Sequence, residues 1–330
     1  MLPVAELHMH IEGSLEAETL VTLARRNGIA LPSYDPDVLR ARYVFDDLQS
    51  FLDIYYEHIA VVRTAEDFYD LGRAYLTRAS AAGVRHAEMF VDLQSHTARG
   101  IAPAAVFEGL GAAIRDSRAD TGISSALILS FLRDLGPEAA ASTLSAALPF
   151  RDSFIGVGLD SAEVGYPPSL FEAVYRRAAA EGLHRVAHAG EEGGPDYVWE
   201  ALDVLGVERI DHGNRAMEDP ALVSRLRDAQ VPITVCPLSN VALKTGPADL
   251  ADHILPAMLA EGLLVSINSD DPAYFGGYVD DNFDAIRRSL SFDSGQLAEL
   301  ARNSFESAFL TDAEKAAFIA EIAETADVRS

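Results

Sequence analysis

His8 and His10 stand two residues apart at the end of the short apolar run Ala5-Glu6-Leu7-His8-Met9-His10. If that run is a strand, both imidazoles project from one side, because successive side chains alternate faces. Two imidazoles on one strand make half a metal site, so further ligands must come from other strand ends. The chain offers His188 in Val186-Ala187-His188-Ala189-Gly190-Glu191, His212 in Arg209-Ile210-Asp211-His212-Gly213, and the pair Asp270-Asp271 before Pro272, each after an apolar run. His8, His10, His188 and Asp270 together form an N/O ligand set that suits one Zn²⁺ per chain, with a position left for water. A bound metal lowers the pKa of its water to roughly 7, which points to hydrolysis or hydrolytic deamination. Glu191, three residues beyond His188, is the expected general acid; a closed, partly desolvated pocket would raise its pKa enough to hold a proton at neutral pH. Its neighbour Glu192 suits a helix N-terminus better. His58, His86, His96, His184 and His253 are expected to be structural or surface residues.

Positioning such a set requires many strand ends on one rim. Short β-rich runs alternate with amphipathic stretches almost throughout: residues 5–10, 84–93, 124–132, 154–160, 185–189, 209–212, 232–238 and 264–268 read as eight strands. Between them, Ala65 to Ala81, Leu170 to Ala180 and Asp219 to Ala229 carry apolar residues at helical spacing. Gly83 and Gly182 sit where helix C-caps belong, and Asp219-Pro220 reads as an N-cap followed by proline. Eight β/α units fit either a closed barrel or a doubly wound open sheet. The chemistry favours closure. The candidate ligands end the first, fifth and eighth strands, and only a barrel makes the first and last strands neighbours. The expected fold is thus a (β/α)₈ TIM barrel with additional helices, as one domain over residues 1–330. Residues 16–63 are too long for one crossover and either cover the barrel mouth or pack on its flank; residues 291–328 read as terminal helices.

The formal net charge of −25 over 330 residues argues against nucleic acid, whose recognition needs clustered Lys and Arg. Cys236 is the only cysteine, so no intrachain disulfide forms, as in a reducing compartment. The first residues reach Glu6 and His8 without a basic n-region or a long apolar h-region, and no uninterrupted apolar run is of membrane length, so no secretory signal is expected. A soluble, cytoplasmic protein is expected, without a membrane partner; the oligomeric state is left open.

The order His-x-His, His-Ala-Gly-Glu, Asp-His-Gly, Ser-Asp-Asp-Pro, together with Cys236-Pro237-Leu238-Ser239-Asn240, resembles the adenosine and adenine deaminase family over about Glu6 to Phe309. The resemblance implies a metal-dependent barrel that converts a 6-aminopurine to its 6-oxo form with release of ammonia. It also implies roles: His8, His10, His188 and Asp270 hold Zn²⁺, Glu191 protonates purine N1, His212 orients or deprotonates the metal-bound water, and Asp271 contacts N7.

Two departures bear on the purine. Nucleoside deaminases of this family carry His-x-His-x-Asp-Gly, with the Asp reaching ribose, whereas this chain has Glu12 before Gly13. After the fourth strand they carry Gly-Asp-Glu, but this chain reads Asp160-Ser161-Ala162-Glu163-Val164-Gly165. These departures, with Phe51 to Tyr56 and Asp271 to Tyr278, look like the adenine deaminase branch. Glu12, Ser161, Glu163 and Asp271 are the expected substrate-binding residues, with Glu163 accepting N9–H of the free base; the alternative for Glu163 is a solvated loop acid. Competing expectations are deamination of adenosine or of N6-substituted adenines, and a non-catalytic purine-binding barrel. A phosphate loop at Gly190 to Gly194 is rejected, because that stretch has two acids and no lysine.

Overall fold

The structure is a computed structural model that describes residues 2–327. Its strands are β1 (Val4–His10), β2 (Val84–Val91), β3 (Ser124–Leu132), β4 (Gly156–Asp160), β5 (His184–Ala189), β6 (Arg209–His212), β7 (Ile233–Val235) and β8 (Val265–Ile267). They lie in the order β1 to β8, each parallel to the next. The ring closes where Met9 bridges Asp270: the His10 N–H donates to Asp270 O at 2.9 Å, and the Asp270 N–H to His8 O at 3.0 Å. The fold is a (β/α)₈ barrel surrounded by helices.

The strand ends differ from expectation for local reasons. The run 232–238 is cut at Val235 because Pro237 starts the helix Pro237–Ala242, where a missing N–H costs nothing. Two segments, 65–81 and 220–229, are helices as expected; Asp219 caps the second by accepting the Ala221 and Leu222 N–H groups. The stretch 170–180 begins as a 3₁₀ turn, Pro168–Phe171, and becomes helix over Glu172–Ala180. Gly83 and Gly182 carry φ of +94° and +72°, the left-handed geometry of a helix end. The terminal helices reach Asp327; Val328 lies outside the described residues.

Apolar side chains between strands and helices form one continuous core, including Leu7, Met9, Phe68, Leu110, Leu159, Ile210, Val235 and Phe305. Inside the barrel, Phe90, Ile128 and Val186 form a second cluster against which Phe309 packs. Beside it, fully buried Arg209 donates to Glu88 Oε2 at 2.6 Å and to Leu7 O at 3.2 Å, while the Phe309 N–H reaches Glu88 Oε1. This pair draws the Glu88 carboxyl down to about 2 against its burial.

The stretch 16–63 does both things considered for it. Helix Ala17–Asn27 joins the main core through Leu20, Leu23 and Ala24, whereas helix Leu48–Ile59 packs Phe51, Leu52 and Tyr55 against Leu243, Tyr274 and Phe275 over the mouth. Among the described residues no helix is long and apolar enough to cross a membrane.

Candidate active site

His8 and His10 lie at the C-terminal end of β1, His188 is the residue before the last of β5, His212 ends β6, and Asp270 lies just beyond β8. All five are buried. One donor atom from each of His8, His10, His188 and Asp270 falls within 4.8 Å of the others. His10 Nε2 and His188 Nε2 are 3.2 Å apart, His8 Nε2 and Asp270 Oδ1 3.3 Å, and His10 Nε2 and Asp270 Oδ1 3.5 Å. Ligands 2.0–2.1 Å from a tetrahedral ion would stand about 3.3–3.4 Å apart, so these residues fit a metal. His8 Nε2 is moreover buried with no hydrogen-bond partner.

The outward nitrogens face a second layer of polar groups, of which the one at His8 is a hydrogen bond and those at His188 and His10 are carboxylates at longer range. His8 Nδ1 is 2.9 Å from Thr234 Oγ1, whose hydroxyl donates to Asp211 Oδ1 at 2.8 Å. His188 Nδ1 lies 3.8 Å from Asp211 Oδ2, and His10 Nδ1 3.5 Å from Asp160 Oδ2. Ser239 donates to Asp270 Oδ2 at 2.6 Å, and Phe90 supports both β1 rings, 5.4 Å from His8 and 5.0 Å from His10.

Electrostatics sorts the titratable groups. Burial lowers His10 and His188 and takes His212 down to about 3, so these rings are neutral. Burial also opposes charge on His8, but Asp270 and Asp211 outweigh it and raise that ring, while Asp270 is held low by His8, His212 and His10 against its own desolvation. Burial raises Glu191 well above the carboxylate range, with Asp270, Glu163 and Glu192 adding to it. Asp271 is raised in the same way, by burial and then by Asp270 and Asp92.

A cleft lies above the cluster, and its lining includes His10, Tyr56, Asp160, Ser161, Glu191 and Asp271. His212 Nε2 lies 3.5 Å from Glu191 Oε2 and 3.9 Å from Asp270 Oδ2, so the expected acid and base converge on the candidate metal cluster. Ser161, His212 and Asp270 hold φ of +71°, +67° and +65°. Such left-handed geometry costs a non-glycine residue on the order of 1–3 kcal/mol and recurs at functional sites.

Two expected substrate contacts are corrected. Glu163 is fully buried and does not line the cleft; its carboxylate accepts the N–H groups of Gly190, Glu191, Glu192 and Gly193 at 2.8–3.0 Å. It is therefore neither the N9–H acceptor nor a solvated acid. Glu12 also lies behind the cleft, where its Oε1 accepts the Asp92 N–H at 3.1 Å and stands 2.7 Å from His96 Nε2. Ser161 does face the cleft, its Oγ 3.2 Å from the Tyr56 hydroxyl. Asp92 and Asp160 line the cleft although sequence reasoning gave them no role; each ends or follows a strand, the one signal that could have found them. The five histidines set aside earlier find protein partners: Tyr274 for His58, Ser124 and Glu88 for His86, Glu12 for His96, Glu208 for His184 and Asn240 for His253.

A closed parallel barrel with three imidazoles and a carboxylate converging on its C-terminal rim defines a metal-dependent barrel enzyme. The sequence profile described as Adenosine deaminase matches residues 3–325, and the chain belongs to that family. It is 61% identical over 323 residues to a curated relative named adenine deaminase from Streptomyces coelicolor, covering 97% of this chain and 95% of that one. Another of that name, from Rhodospirillum rubrum, is 54% identical and covers 98% and 96%. The crystal structure of adenine deaminase from Arthrobacter aurescens superposes with a TM-score of 0.97 at 55% identity, covering 99% of this chain and all of that one. An amidohydrolase from Burkholderia ambifaria, solved with bound Zn, gives 0.89 at 30% identity over 99% and 91%.

Proposed function

We propose that this chain hydrolyses adenine to hypoxanthine and ammonia. The observation that carries the chemistry is Glu191: a buried carboxyl raised well above its ordinary range, set 3.5 Å from His212 beside a four-ligand metal cluster. The adenine assignment rests on relatives of that name at 54–61% identity over nearly the full chain. His8, His10, His188 and Asp270 hold the metal, which we take to be zinc from the donor set and from the Zn-bound relative at 30% identity. When bound, it lowers the pKa of water to roughly 7 and so supplies a nucleophile at neutral pH.

The protein's own groups do the rest. Protonated Glu191 donates to ring N1, which withdraws electrons from C6 and opens it to attack. Neutral His212 takes the proton from the attacking water. Asp271, neutral in its buried setting, donates to N7 and fixes the ring plane. His212 passes the proton it took from water to the 6-amino group, the C6–N bond breaks and ammonia leaves, while the C6 hydroxyl gives its proton to the Glu191 carboxylate and becomes the 6-oxo group. Phe51, Leu52 and Tyr55 cover the cleft and limit bulk water.

Ammonia release measured side by side on adenine, adenosine and N6-methyladenine tests the assignment. Adenine is expected to have the highest kcat/KM. A preference for either other substrate would move the chain to a different branch of the same chemistry, and no turnover of any of them in the metal-loaded protein would reject the reaction.

A further inference from the structure

The loop after β4 and the loop after β5 are joined by a contact that substrate binding does not explain. Glu163 Oε1 accepts the Gly190 N–H at 2.8 Å, while Oε2 accepts those of Glu191 at 3.0 Å and of Glu192 and Gly193 at 2.8 Å each. Four consecutive N–H groups can converge on one carboxylate only if the peptide curls around it, as in the anion-binding nests of irregular loops. The chain is adapted to that curl. Gly190 holds φ of +75°, and a Cβ on Gly193 would lie 3.0 Å from Glu163 Cδ and 2.7 Å from Tyr197 Cγ, so only glycine lets the carboxylate come this close.

The carbonyls of the same stretch are held from the other side. Beyond the pairs Gly156–His184 and Val157–Arg185 the ladder between β4 and β5 ends, and fully buried Arg133 donates to His188 O at 2.8 Å and Tyr166 O at 2.9 Å. Arg215 donates to Glu192 O at 2.8 Å. Residues 188–193 are thus clamped through both N–H and C=O groups, although the stretch contains Gly190 and Gly193 and would otherwise be among the most adaptable in the chain. Within it lies Glu191.

We propose that Glu163 is a positioning residue: its carboxylate fixes the 190–193 peptide and thereby sets where the Glu191 carboxyl delivers its proton. The inference rests on Glu191 being the acid of the proposed reaction. Glu163 itself touches no substrate. Proton transfer requires the acid within hydrogen-bond reach of its target, and a displacement of about 1 Å is enough to cost roughly 10²-fold in rate.

The test compares Glu163→Gln and Glu163→Asp with wild type in the metal-loaded protein, by amide hydrogen exchange, metal content and steady-state kinetics on adenine. Glu163→Gln keeps the shape, but its amide nitrogen cannot accept and its oxygen carries no full charge. Exchange is expected to accelerate in peptides spanning 190–193 and not elsewhere, metal content to hold, and kcat to fall roughly 10²-fold with a smaller change in KM. Glu163→Asp keeps the charge on a shorter stem and should restore part of the exchange protection and of kcat together. Accelerated exchange with undiminished kcat would make Glu163 a fold element only, and loss of metal along with activity would place its effect at the cluster; either result overturns the proposal, as does unchanged exchange. If Glu163→Gln does not fold, Glu163→Asp alone decides on the same readouts, with smaller losses expected. Glu191→Gln is the separate control: full activity there removes Glu191 from its role, whatever the exchange data show.

Discussion

A Cβ placed on Gly13 would lie 1.9 Å from Asp271 Oδ1, so the residue after Glu12 is glycine because the Asp271 carboxyl occupies the space a side chain would take. The Ala273 N–H donates to Gly13 O at 3.0 Å and ties the two segments together. Gly13→Ala should push Asp271 off N7, lowering kcat/KM on adenine by about 10²-fold with the metal retained. Kinetics alongside metal analysis checks this.

Glu191→Gln should retain the metal and the fold while kcat falls by about 10²–10⁴-fold, the usual worth of general acid catalysis. Single-turnover measurements on adenine separate this loss of chemistry from weaker binding.

In the proposed reaction Glu191 is the acid, and burial, then Asp270, Glu163 and Glu192, raise it well above its ordinary range. The protonated form is the active one. The pH profile of kcat/KM should therefore fall tenfold per pH unit above the Glu191 pKa, while on the acid side it follows the metal-bound water, whose pKa is roughly 7. His212, at about 3, remains a neutral base throughout and adds no acid limb above about pH 4. An alkaline limb that persists unchanged in the residual activity of Glu191→Gln would assign it to another group.

Chelation should abolish turnover, and Zn²⁺ should restore it. Because the four ligands converge only in the folded barrel, metal removal should also lower Tm. Scanning calorimetry of the stripped and reconstituted protein provides the comparison.

Arg209→Met should destabilise the protein by about 3–5 kcal/mol, since it leaves the Glu88 carboxylate buried without its cation. Urea unfolding of both proteins measures the difference.

The barrel and the convergence of His8, His10, His188 and Asp270 were legible because both obey local rules. Apolar runs of strand length recur between amphipathic stretches, and each ligand stands where such a run stops. Glu163 shows the limit. Its type and its place after β4 were visible in the chain, but the direction of its side chain is fixed by amides 27 to 30 residues further on, and no local pattern encodes that meeting. Glu12 was misread for a similar reason, being claimed from behind by His96 and the Asp92 N–H. The left-handed backbone at Ser161, His212 and Asp270 was equally hidden, because none of them is a glycine.

The seam where β8 meets β1 has a bearing on how the protein is made. His8 and His10 leave the ribosome long before Asp270, the carboxylate of the same candidate cluster, which is held against β1 through Met9. A nascent chain shorter than this carries imidazoles without their carboxylate and a sheet with two unpaired edges. Parallel pairing between such distant segments is slow, and open edges invite association with other chains. The cluster is thus a record of completed closure, and a chain stalled or truncated before residue 270 would be marked by poor metal retention as well as by exposed strand edges.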